Sequence, residues 1–180
     1  TSAPLILVLH HPVTSESEAA TEQIGISIEA VKSTGEQAIL IYPNIDAGGR
    51  RIIKVIEGTK IQAYKNLPFE TYASLMNMAD VLVGNSSSGI IEAPSLKLPV
   101  VNIGTRQQGR MQSGNIINTG YNSDEIFDAI TTAIYNKEFR EKVKASINPY
   151  GDGRASSRIV DTLKTIDLLD PALTQKRLAY

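Results

Sequence analysis

Cysteine is absent from the 180 residues. That excludes disulfides, thiolate metal sites and a cysteine nucleophile, and it fits a reducing compartment such as the cytoplasm. Histidine occurs only as the pair His10-His11, too few for a histidine-rich metal site, so no metal ligands are expected. Charge of one sign is not in excess: 18 basic against 19 acidic residues leave a net charge of −1. No Lys/Arg cluster supplies the basic face that a nucleic-acid binder needs. No apolar run approaches the roughly 20 residues of a membrane helix. The first residues, Thr1-Ser2-Ala3-Pro4, lack the basic segment of a signal peptide. Neither nucleic acid nor membrane is therefore expected as a partner. Repeats and low-complexity linkers are missing too. What is present suffices for one domain with a sizeable core, in a chain that starts at the edge of a strand, as one cut from something longer would.

Short β-rich runs alternate with helical patterns. Leu5–Leu9 is continuously apolar, as in a strand buried on both faces. Residues 15–32 place Ile24, Ile28 and Val31 at helical spacing, and residues 38–42 read as a second strand. Asp46–Glu57 reads as a helix with Ile52, Ile53 and Ile56 inward, opened by Asp46 as its N-cap. A strand over 60–64 and a helix over 69–78, with Pro68 at its first position, come next. Strands follow at 81–83, 100–103 and 116–117, with helices over 124–135 and 158–169. The alternation predicts an α/β fold: a Rossmann-like three-layer α/β/α domain over residues 1–169 with a mostly parallel sheet, then a tail, 170–180. Ligands of such folds lie beyond the carboxyl ends of the strands.

The segments that follow the strands are therefore where a site belongs. Nearly all the distinctive polar residues fall there, which is the strongest argument for a site. Most informative is Gly84-Asn85-Ser86-Ser87-Ser88-Gly89-Ile90-Ile91-Glu92. A turn of small polar residues at a helix start leaves backbone N–H groups uncovered, suiting a phosphate. Glu92, one turn on, would repel a phosphate but can accept from a ribose diol. Capping alone explains many Ser-rich turns; three serines followed by a glutamate between two buried strands favour a ligand. His11, before Pro12, could bind a phosphate or transfer a proton, or be a structural histidine bonded to a carbonyl. His10 reads as packing. Asn44 can bond a ligand or its own turn, and Gly48-Gly49 permits close approach. Arg106 could clamp a diphosphate, whereas Arg110 reads as a surface arginine. Gly151-Asp152-Gly153 reads as a cap before the last helix.

Together, His11-Pro12-Val13-Thr14, Tyr42–Gly48, Gly84–Glu92, Asn102–Arg110 and Tyr150–Gly153 resemble the C-terminal half of the UDP-N-acetylglucosamine 2-epimerase family, in its hydrolysing branch. The set spans most of the chain and is specific as a set. Where the non-hydrolysing branch has Thr-Glu-Arg-Pro-Glu, this chain has Gly104-Thr105-Arg106-Gln107-Gln108-Gly109-Arg110. The resemblance implies the nucleotide-binding, C-terminal half of a GT-B-like enzyme that acts on UDP-N-acetylglucosamine, without a redox cofactor, through a glycal to N-acetylmannosamine and UDP, for sialic or nonulosonic acid synthesis. It implies Ser86 and Ser87 on the diphosphate, Glu92 on the ribose, Asn44 and Arg106 lining the nucleotide-sugar site, and His11 as the catalytic group assisting UDP departure. The family's proton-transferring carboxylates would lie in an N-terminal domain outside this chain. Alone, the 180 residues are then expected to bind UDP weakly without turnover, and the full-length protein to be a homo-oligomer. Competing readings are a non-hydrolysing epimerase, a sibling acting on a modified or GDP-linked sugar, a GT-B glycosyltransferase, and a nucleotide-sensing domain.

Overall fold

A computed structural model describes residues 3–173 and residue 175; most of the expected tail therefore lies outside the described residues. Six strands, β1 (Leu5–Leu9), β2 (Gln37–Ile41), β3 (Gln62–Tyr64), β4 (Val81–Gly84), β5 (Val100–Ile103) and β6 (Ile116–Thr119), form one sheet in the order β3-β2-β1-β4-β5-β6. Every pairing is parallel, with Leu9 opposite both Ile41 and Gly84. All carboxyl ends therefore emerge at one edge, and the strand order reverses between β1 and β4, which opens a crevice there.

The apolar runs are continuous because both faces of the sheet are covered. Ile6 and Val8 pack on one side with α1 (Ala20–Ser33) and α2 (Gly49–Glu57) through Ile24, Ile28, Ile52 and Ile56. On the other side Leu7 and Leu9 pack with Met76 of α3 (Phe69–Met78) and with Ala93, just beyond the four-residue α4 (Ser88–Ile91). Helix α5 (Ser123–Tyr135) adds Ile126 and Ile130 to the first layer. Each fully buried Leu or Ile contributes about 1.5–3 kcal/mol.

Several element starts differ from expectation. Residues 14–19 form a 3-10 turn in which Glu16 is non-helical, so the α-helix begins at Ala20 and not at Ser15. Asp46 does not cap α2. Gly48, at φ +95°, occupies the N-cap position, while the Asp46 carboxylate accepts from Asn44 Nδ2 at 2.6 Å. Helix α6 (Lys137–Ala145) was not anticipated; it is mostly charged, buries only Val143, and is capped by Asn136 accepting from the Phe139 N–H at 2.8 Å.

The chain divides into two compact units after Pro149. In the second, α7 spans Ala155–Thr165 instead of 158–169. Arg158 donates to both carboxylate oxygens of Asp152 at 2.9 Å, holding that carboxyl down at about 2, while the Arg154 N–H donates to the same group. Among the described residues no helix is long and apolar enough to cross a membrane.

Candidate functional site

The site begins where β4 leaves β1. Gly84 has φ +137°, and a Cβ there would stand 2.1 Å from the Leu9 carbonyl oxygen. Only glycine lets the chain turn out of the sheet while lying against its neighbour. The next residue, Asn85, is fully buried. Its Oδ1 accepts from the His11 N–H at 2.7 Å and its Nδ2 donates to the His11 carbonyl at 2.8 Å. The side chain thus imitates one further rung of the ladder beyond the last residue of β1. The Asn85 carbonyl in turn accepts from Gln107 Nε2 at 2.7 Å and Arg106 Nη1 at 3.2 Å. The segments following β1, β4 and β5 are joined at one residue.

The loop after β2 joins them through His11, whose Nδ1 accepts from the Asn44 N–H at 3.0 Å. Burial first, then the neighbouring Arg106 charge, lowers the His11 pKa from 6.5 to about 4, against an opposing pull from Asp46. The ring is neutral at pH 7. His10 points away into the core, as expected. It is buried, its Nδ1 lies 3.2 Å from Ser27 Oγ, and burial followed by His11 and Arg106 lowers its pKa to about 3. Gly49 makes the predicted close approach: a Cβ there would sit 2.5 Å from the Asn44 carbonyl oxygen.

The serine turn lies beside this junction. Ser86 is buried, and its Oγ lies 2.9 Å from Ser88 Oγ, which lies 2.6 Å from the Tyr72 hydroxyl. The backbone N–H groups of Ser86 and Ser87 enter no backbone hydrogen bond among the described residues. Glu92 is exposed, just past α4. It lines an apolar groove of about 370 Å³ with Phe69, Tyr72, Met76, Ile91 and Leu96. Arg106 and Asp46 line a polar cleft of about 640 Å³ with Pro12, Thr14 and Thr105.

The structure therefore brings His11, Asn44, Ser86, Ser87 and Arg106 to one crevice and puts Glu92 one turn along, on the adjoining groove. Asn44 contributes its backbone N–H to His11, while its side chain bonds Asp46. Arg106 is half-buried and one of its donors is already engaged; burial lowers its pKa. Arg110 is exposed on a separate polar pocket with Gln112 and Asn118. Sequence reasoning missed Asn85, Gln107, Tyr72 and Tyr121. An asparagine directly after a strand-ending glycine was the one local sign of the first; the others act through residues remote in sequence. Tyr121 stacks over Gly104, where a Cβ would lie 2.3 Å from its hydroxyl, and burial raises that hydroxyl to about 12. Among the described residues no cluster of His, Asp and Glu could hold a metal ion.

Comparison with known proteins bears on the family and the fold. The family described as UDP-N-acetylglucosamine 2-epimerase matches residues 1–164. The chain is 39% identical over 168 residues to the UDP-N,N'-diacetylbacillosamine 2-epimerase (hydrolyzing) of Legionella pneumophila, covering 91% of this chain and 43% of that protein. It is 37% identical over 128 residues to the UDP-N-acetylglucosamine 2-epimerase of Neisseria meningitidis, covering 69% of this chain and 34% of that one. The crystal structure of the UDP-GlcNAc 2-epimerase from Neisseria meningitidis bound to UDP-GlcNAc superposes with a TM-score of 0.73 at 24% identity, covering 91% of this chain and 45% of that chain. This likeness shows the fold, one half of a GT-B-like structure, and the chain spans less than half the length of these relatives. With a match that runs through the whole of its first unit and into the second, the chain belongs to the UDP-N-acetylglucosamine 2-epimerase family.

Proposed function

We propose that residues 1–169 are the UDP-binding domain of a hydrolysing UDP-N-acetylglucosamine 2-epimerase, which converts UDP-N-acetylglucosamine and water to N-acetylmannosamine and UDP. The observation that carries this reading is the convergence of His11, Arg106 and the Ser86-Ser87 amides at the β1/β4 reversal, with Glu92 beside an apolar groove. The diphosphate lies on the amides and hydroxyls of Ser86 and Ser87 and against Arg106. The ribose diol donates to Glu92, and the groove beyond it takes the base. In the elimination a base removes the C2 proton, the C1–oxygen bond breaks, and UDP departs with the electron pair. Water then adds to the glycal. Negative charge grows on the departing diphosphate, where oriented N–H donors and a partly desolvated guanidinium are worth most. His11 assists that departure.

The carboxylates that exchange the C2 proton belong, in this reading, to an N-terminal domain outside the 180 residues. The chain alone binds UDP and does not turn over; the full-length enzyme is a cytoplasmic homo-oligomer serving sialic or nonulosonic acid synthesis. The departure from Thr-Glu-Arg-Pro-Glu at Gly104–Arg110 and the name of the Legionella relative support the hydrolysing branch. That name also favours a second reading, a sibling enzyme acting on a 2,4-diacetamido sugar.

Calorimetric titration with UDP, GDP and UMP tests the site. UDP is expected to bind, and Glu92→Ala to weaken it 10- to 100-fold, the loss of about 1.5–3 kcal/mol in hydrogen bonds to a charged group. Unchanged affinity in that variant, or no UDP binding by either this chain or the full-length protein, rejects the reading. Product analysis of the full-length enzyme separates free N-acetylmannosamine plus UDP from a transferred sugar.

A further inference from the structure

The two adjacent histidines have fixed and opposite tautomers. A backbone amide can only donate, so the Asn44 N–H, 3.0 Å from His11 Nδ1, requires a bare lone pair on that nitrogen. In the neutral ring the proton then sits on Nε2. Turning the ring over would set a C–H against the amide and leave the amide unpaired. Protonating Nδ1 would set N–H against N–H. The charged and titratable groups that face this ring are His10, Arg106 and Asp46. For His10 the logic reverses. Both contacts of the Ser27 hydroxyl are hydrogen bonds when it donates to the Gln23 carbonyl at 3.0 Å. Its oxygen therefore accepts from His10 Nδ1–H at 3.2 Å. His10 Nε2 is left bare, buried and without a partner among the described residues.

The His11 lock depends on the backbone of residue 11 standing still, and that backbone lies beyond the last residue of β1, where the ladder no longer holds it. Asn85 replaces the ladder there, clasping both the N–H and the carbonyl of His11, and is itself held by Gln107 and Arg106. We propose that Asn85 is a positioning residue which, together with the Asn44 backbone amide, holds His11 as a neutral donor through Nε2–H. His11 then gives a hydrogen bond to the leaving diphosphate and cannot accept the C2 proton: one ring lone pair is committed to Asn44, and the other nitrogen has none to offer. This deepens the proposed function and rests on it for the identity of the ligand.

Long-range proton–nitrogen NMR correlation of the ¹⁵N-labelled chain at pH 7 reads the tautomers directly, with His11 assigned by the disappearance of its signals in His11→Asn. The expected result is a pyridine-type Nδ1 and a pyrrole-type Nε2 for His11, and the reverse for His10. A His11 ring protonated on Nδ1, a rapidly averaging ring, or an imidazolium at pH 7 overturns the proposal. In Asn85→Ala the His11 nitrogens are expected to move toward the averaged shifts of a free ring while the His10 pattern persists. An unchanged His11 pattern in the folded variant removes Asn85 from the positioning role. If Asn85→Ala does not fold, Asn85→Ser is read by the same criterion, and the wild-type spectrum decides the tautomer without either. None of these samples contains nucleotide, so a failed UDP titration would reject the ligand and leave the tautomer result to be judged on its own.

Discussion

Replacing Gly84 by alanine tests whether the seam between β1 and β4 is as tight as its geometry requires. Two costs are superimposed at this position. The backbone, at φ +137°, lies in a region that side chains with a Cβ rarely adopt, a strain of about 1–3 kcal/mol. The new Cβ also meets the Leu9 carbonyl oxygen at 2.1 Å and the His10 nitrogen at 3.2 Å. Those atoms belong to the central strand and its continuation and cannot yield as a flexible side chain would, so overpacking adds about 1–3 kcal/mol. A total of about 4 kcal/mol is a large fraction of the roughly 5–15 kcal/mol of a whole domain. With a urea slope of about 2 kcal/mol/M, the midpoint should fall by about 2 M. The chain has no tryptophan, so far-UV circular dichroism is the appropriate probe. Gly109→Ala supplies the comparison: φ is +79°, yet nothing lies within 4 Å of its added Cβ. It should lose only the conformational part, about 1–2 kcal/mol, and under about 1 M in midpoint. Equal midpoint shifts in the two variants would refute the steric argument and with it the claim that Gly84 is required by contact with β1.

Acid should weaken the fold before the carboxylates titrate. His10 and His11 bind protons less readily when folded, at about 3 and about 4 against 6.5, so their contribution is complete above pH 6.5 and lost as pH falls toward those values. Each such histidine lowers stability by about 1.4 kcal/mol per pH unit in that window, less for the partly exposed His11; a urea midpoint equal at pH 7 and pH 5 contradicts this. Asn122 accepts from the Glu125 N–H at 3.0 Å at the start of α5, and Asn122→Ala should cost about 1 kcal/mol in the same denaturation assay. Arg106→Gln removes a half-buried cation from the proposed diphosphate site and should weaken UDP at least tenfold by calorimetry, the scale of a lost charge-assisted hydrogen bond, while UDP affinity equal to wild type would place the diphosphate elsewhere.

The strands were legible because burial on both faces makes their residues continuously apolar, and Leu5–Leu9 carries that pattern most clearly. Where a helix begins was less so, since three-dimensional contacts decide it. Glu16 reads as an ordinary helical residue until its carboxylate is seen to accept from Gln23 and Thr105, at 2.7 Å each, the latter far away in sequence. Asp46 has the chemistry of a cap, but Gly48 enters the left-handed region behind it and moves the helix start on. Helix α6 has too few apolar residues to show a periodic face. At the site, the edge of the sheet and the residues His11, Ser86 and Arg106 followed from where the strands end. Asn85 and Gln107 did not, because their roles are bonds to backbone atoms of distant segments, which leave no trace in spacing.

The clasp between Asn85 and His11 closes a loop of 74 residues. Contacts so distant in sequence form late and slowly, after the local helices and the β1–β2 pair can already exist. A chain that lacks the β1–β4 seam has no crevice. A ligand that reads the crevice binds only the finished chain, and at a hundredfold excess over its Kd it adds about 2.7 kcal/mol to the stability of that state. The supply of such a ligand would then act on the amount of folded protein, with the crevice serving as the sensor of its own completion.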